Sequence, residues 1–227
     1  MTKEEHLPTG IKRYLREPVN GLTHFAGILL SIAGLIVLLV MSEGEPWRTA
    51  SFAVYGATLI LLYTASTLLH SLRAGPVGQR YLKLFDHAAI FLLIAGSYTP
   101  IALVTLQEGH ATLGWTLFGL AWGIALLGVV FKLLWLDAPR WLSTGLYLLM
   151  GWLALIAIVP IIQSLPVGGV FWLVLGGLLY SVGAVIYALK KPNLFPEWFG
   201  YHELWHLFVL AGSAAHFMLM LRYVLPV

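Results

Sequence analysis

The sequence predicts an all-α integral membrane protein, a bundle of seven transmembrane helices. Three observations carry that expectation. Hydrophobic residues make up 59% of the chain, charged residues only 10%, and the mean hydropathy is +0.86, well outside the range of soluble globular chains. Apolar stretches of about 20 residues recur, long enough to cross a hydrocarbon core of roughly 30 Å as helices. They lack the short alternating pattern of an outer-membrane barrel.

Residues 1–19 read as a polar cytoplasmic tail, followed by one seven-helix domain over 20–227. The tail carries Lys3, Lys12, Arg13 and Arg16 and could pass for the basic region of a signal peptide. The apolar run behind it, 20–41, is too long for that and has no small-residue cleavage site, so it is expected to be a retained first helix. The second span is 48–70 and the third 84–106, where Pro100 removes a backbone donor and should kink the helix. The fourth is 112–133; the fifth, 141–162, contains Pro160, with the same consequence. The sixth, 166–189, holds Gly176-Gly177, and the seventh is 199–221. Twenty-three glycines suit helices that approach closely in lipid.

Charge orients the bundle. Eleven Lys and Arg fall in the tail and the second, fourth and sixth loops, against only Arg48 and Arg222 on the other side. This bias predicts a cytoplasmic N-terminus and an external C-terminus in the inner or plasma membrane. Basic residues beside an anionic leaflet are ordinary in membrane proteins and do not indicate nucleic acid.

On that frame His70 lies at the cytoplasmic end of the second span, Asp86 in the first turn of the third, and His202 and His206 in the first two turns of the seventh. Ser66 and His70, and likewise His202 and His206, are four residues apart and share a helix face, with roughly 6 Å between neighbours. Two histidines from one helix and one from another can thus reach a single ion. Cysteine is absent, so ligands must be histidine or carboxylate. Three imidazoles with an open fourth position form the donor set of a catalytic zinc site, and Asp86 would orient or deprotonate water there.

Glu17, Asn20 and His24 open the first span on the same side. They either line the same cavity in support of the ligands or serve as a helix cap and interfacial polar groups. His87 should point about 100° away from Asp86, as a supporting or interface residue. His216 lies roughly 21 Å along the axis from His202, too far to share the ion, and should pack or hydrogen-bond across helices. His6 and His110 fall in loops.

The segments Glu17-Pro-Val-Asn20-Gly-Leu-Thr-His24, Ser66-x-x-x-His70, Phe85-Asp86-His87, His202-x-x-x-His206 and Ala215-His216-Phe217, set in seven spans, resemble the hemolysin III family. That family belongs with the progestin and adipoQ receptors and the alkaline ceramidases. The resemblance covers nearly the whole chain and implies zinc on His70, His202 and His206, water handled by Asp86, and Ser66 hydrogen-bonding nearby. By analogy the reaction is hydrolysis of an amide or ester bond in a membrane lipid, linked to membrane homeostasis.

Two other readings compete. His202-Glu203-Leu204-Trp205-His206 matches H-E-x-x-H, which in zinc proteases makes the intervening Glu203 the general base. Such a match arises easily near a helix start, where glutamate is favoured, and it gives no role to Ser66 or Asp86; Glu203 is otherwise a supporting residue. A receptor-like sensor or a hemolytic pore with a structural metal is the non-enzymatic alternative, although the spans lack the continuous polar stripe of a wide aqueous channel.

Overall fold

The computed structural model describes residues 15–195 and 199–226. Most of the expected tail, including His6, lies outside them. Seven helices are long and apolar enough to span a membrane: α1 Pro18–Met41, α2 Pro46–Ser71, α3 Pro76–Thr105, α4 Gln107–Leu134, α5 Arg140–Ser164, α6 Val167–Leu189 and α7 Tyr201–Val224. No β-strand occurs among the described residues.

Proline starts α1, α2 and α3, where its missing N–H costs no helical bond and its fixed φ suits the first turn. The third helix consequently begins at Pro76, eight residues before the expected 84. Hydropathy marks the part of a helix in lipid, whereas Gln79, Arg80 and Lys83 continue the helix outside it. Asp86 therefore sits about three turns into α3 rather than in its first turn.

Both internal prolines disturb their helices. After Pro100, α3 widens into a π-type turn, Ile101–Thr105, closed by the Leu106 N–H on the Ile101 carbonyl at 3.1 Å. In α5 the disturbance lies ahead of Pro160: the helix pauses at Trp152 and tightens into a 3-10 turn over Leu153–Ala157. Pro160 cannot donate to the carbonyl of Ile156, and its ring crowds that carbonyl. Tyr98 of α3 mends the break, its hydroxyl donating to the Gly151 carbonyl at 2.6 Å and accepting from the Ala154 N–H at 2.9 Å. At the start of α4, Glu108–His110 leave helical geometry, with Gly109 at φ +78°, so continuous helix begins near the expected 112.

In the bundle α1 lies between α2 and α7, α3 packs against α2, α4 and α5, and α6 joins α5 to α7. The most enclosed helix is α3 and the least enclosed is α5. Lipid tails are as apolar as leucine, so close packing rather than the hydrophobic effect holds the helices together. Gly27 shows how close: a Cβ there would stand 2.7 Å from the Tyr63 ring.

Candidate metal centre and cavity

The segment entering α1 builds one side of the site. The Glu17 N–H donates to the His70 carbonyl at 2.8 Å, the Arg16 N–H to that of Ser71 at 3.3 Å, and the Arg16 guanidinium to that of Leu69 at 3.3 Å. These are carbonyls that the end of α2 leaves unsatisfied. The same anchoring brings Glu17 Oε2 to 2.5 Å from His70 Nδ1. Burial would raise the Glu17 pKa, but the hydrogen bonds and charges of His70 and Arg16 outweigh it and hold the carboxyl at about 2.

Because α1 packs on both α2 and α7, the end of α2 meets the start of α7 around it. One nitrogen each from His70, His202 and His206 falls within 4.8 Å of the others. The ring centroids form a nearly equilateral triangle, 5.0 Å for His70–His202, 4.9 Å for His70–His206 and 5.0 Å for His202–His206. His70 and His206 are buried and His202 is half-buried. Three such imidazoles suit a borderline-soft cation. Glu17 on Nδ1 of His70 would hold the tautomer whose Nε2 lone pair faces away from it. The ring nitrogens of His24 and Nδ1 of His206 are buried without a hydrogen-bond partner.

Asn20 ties the helices together. Its amide donates to Glu17 Oε2 at 3.3 Å and to Glu203 Oε1 at 3.0 Å, while Glu203 Oε2 accepts from the Gly200 N–H at 2.8 Å and caps α7. Both oxygens of Glu203 are thereby engaged. His24 lies stacked on His206, with ring centroids 3.7 Å apart, and its edge meets Tyr63. Glu17 thus touches His70, His24 touches His206, and Asn20 joins Glu17 to Glu203.

Asp86 approaches from α3, half-buried, and the buried Ser66 hydroxyl donates to it. Both line a cavity of about 930 Å³ that starts at the histidines and runs between the helices as far as His216. Its deeper wall is apolar, with Leu93, Ile94, Ile101, Val174 and Val209. Between α5 and α6, Leu155 and Val174 line the cavity and are exposed, and the Trp152 indole N–H bridges the two helices by donating to Ser181 Oγ at 3.0 Å.

Residues 12–217 match the family described as Haemolysin-III related. The "Hemolysin-3 homolog" of Bacillus subtilis (strain 168) is 43% identical over 213 residues, 93% of this chain and 95% of the relative. This chain belongs to the haemolysin-III-related family. "Hemolysin-3" of Bacillus cereus is 41% identical over 221 residues, 96% of each chain. A more distant match, 26% identical over 210 residues, 90% of this chain and 83% of the relative, is the human "Monocyte to macrophage differentiation factor", which extends the likeness to the progestin and adipoQ receptor superfamily.

Outside the cluster and His24, this haemolysin-III-related chain holds three further histidines among the described residues, His87, His110 and His216. His216 Nε2 lies 3.4 Å from the Leu173 carbonyl across helices, against a glycine surface at Gly176, where a Cβ would fall 2.5 Å from that nitrogen. His87 lines the cavity, with its carbonyl accepting from the Tyr147 hydroxyl at 3.2 Å. His110 stands in the non-helical turn at the start of α4. The cavity walls supplied by α5 and α6 were not legible in sequence, because their apolar residues look alike whether they face a cavity or lipid. Lys132 was missed too: it counts as a loop charge in the sequence but is only 1% exposed.

Proposed function

We propose that this protein is a zinc-dependent hydrolase that cleaves an amide or ester bond in a membrane lipid, with the metal held by His70, His202 and His206. The observation that carries the reading is the convergence of three imidazole nitrogens within 4.8 Å at one end of a long apolar cavity. Zinc held there would supply Lewis acidity, polarising a substrate carbonyl and acidifying water.

The chain's own residues would do the rest. Asp86 would accept the proton of the attacking water, with Ser66 holding its carboxylate in position. Glu17 orients His70, and Asn20 keeps Glu17 and the start of α7 in register. The apolar cavity would accommodate an acyl chain. The Lys and Arg asymmetry favours a cytoplasm-facing site in the inner or plasma membrane. Glu203 has both oxygens occupied, by Asn20 and Gly200, which favours Asp86 over Glu203 as the base.

Metal analysis of detergent-purified protein tests the reading together with turnover of lipid amides and esters. The expected result is about one zinc per chain. His70→Ala and His206→Ala should lose it, and Asp86→Asn should keep the metal without turnover. Loss of activity from Glu203→Gln with Asp86→Asn active would transfer the role to the protease-like motif. The names of the two Bacillus relatives favour a second reading, lysis of red cells. Haemolysis by the wild type and equally by His70→Ala would support that reading over the hydrolase.

A further inference from the structure

Lys132, near the end of α4, is a buried cation without an acidic partner: it is 1% exposed, and no ion pair joins it to a carboxylate among the described residues. Its Nζ donates to Ser143 Oγ at 2.6 Å. The Phe131 ring lies 5.4 Å from that nitrogen. A buried charge so sparsely partnered is costly, and by default marks a site where something else compensates it. The acid nearest in sequence, Asp137, is exposed and already shared by Lys83 at 2.7 Å and Arg80 at 3.1 Å.

The surroundings of Lys132 belong to the cavity. Ser143, Thr144, His87 and Lys83 all line it, on the wall next to Asp86. Ser143 accepts from Lys132, so its own proton is left for an acceptor on the cavity side. The neighbouring Thr144 is buried, and its hydroxyl has no partner. Lys83, Arg80, Arg140 and Lys132 stand around this end of the cavity against Asp137 and Asp86. Hydroxyl donors backed by surplus positive charge recognise an anionic oxygen.

We propose that Lys132, Ser143, Thr144 and Lys83 form a subsite for the phosphate or carboxylate group of an amphiphile whose acyl chain occupies the apolar cavity. This rests on the lipid reading above and narrows it, because Asp86 and His87 are sequence neighbours. The anionic group would lie within a few bonds of the carbonyl presented to the histidines. Lys132 and Ser143 bind here; neither takes part in the chemistry.

Binding rather than turnover tests it. Native mass spectrometry of the purified full-length protein would titrate oleoyl lysophosphatidate, mono-olein with the same chain and no phosphate, and inorganic phosphate. The wild type should prefer the lysophosphatidate by tenfold or more, the order expected for one or two charge-assisted hydrogen bonds. Lys132→Met and Ser143→Ala should each remove most of that preference while mono-olein binds as before. Equal binding of the two amphiphiles, or a preference retained in both variants, would overturn the subsite and leave the lipid cavity standing. Failure of both amphiphiles to bind would overturn the subsite and the lipid reading together. If inorganic phosphate displaced the lysophosphatidate at comparable concentration, the site would be one for free anions and the amphiphile assignment would fall.

Discussion

Glu17 illustrates how a single residue joins backbone and chemistry. Its N–H completes the end of α2, and its carboxylate meets the His70 ring from the same anchor. Loss of such a support commonly costs ten- to a hundredfold in metal affinity, so Glu17→Gln should weaken zinc binding by that order, read by competition with a chelator. Because the folded pKa is depressed to about 2 from an ordinary 4.5, the ionised carboxylate stabilises the fold above pH 4.5, and that contribution is lost as the pH falls toward 2. Glu17 thus stays charged throughout pH 5–8. Metal release on acidification in that range should follow protonation of the imidazoles, and the weaker affinity of Glu17→Gln should move it to higher pH.

At the scale of elements, the break in α5 depends on α3. Tyr98 supplies hydrogen bonds to two backbone groups that the 3-10 turn leaves without helical partners. Tyr98→Phe preserves the ring but orphans the Gly151 carbonyl and the Ala154 N–H, at a cost of about 1–3 kcal/mol for an unsatisfied buried group. A lowered thermal midpoint in detergent should report it, with zinc content unchanged. Gly176 makes an opposite demand, for absence of bulk. Gly176→Val would drive a side chain into the His216 ring, and overpacking of this kind costs roughly 1–3 kcal/mol. The helix boundaries carry a related lesson: α3 runs eight residues beyond its apolar stretch because Pro76 starts a helix regardless of where the lipid begins.

For the molecule as a whole, the cavity and its orientation are the testable properties. Gly177 lines the cavity, and a Cβ there meets only Trp152, at 4.0 Å. Gly177→Phe should therefore fill the channel without unfolding α6, abolishing turnover of long-chain substrates before short ones while the zinc remains. Reporter fusions to the two ends should place the N-terminus in the cytoplasm and the C-terminus outside, as the eleven-to-two distribution of Lys and Arg predicts. Reversed reporters would move the histidines to the external face.

Seven spans, their order and the three histidines at matching ends of α2 and α7 were legible in the sequence, because hydropathy, helical period and the alternation of spans are local or one-dimensional properties. The place of Glu17, Asn20 and His24 is ambiguous there, since a polar residue at a helix start serves equally as a cap or as part of a site. Only the packing of α1 between α2 and α7 brings them against the histidine cluster. Tertiary structure alone also decided that Lys132 is buried against Ser143, that Tyr98 mends α5, and that α5 and α6 wall a cavity rather than a solid core. In lipid, an apolar helix face carries the same residues whether it meets a neighbour, a cavity or the bilayer, so composition cannot tell these apart and only the arrangement of the helices does.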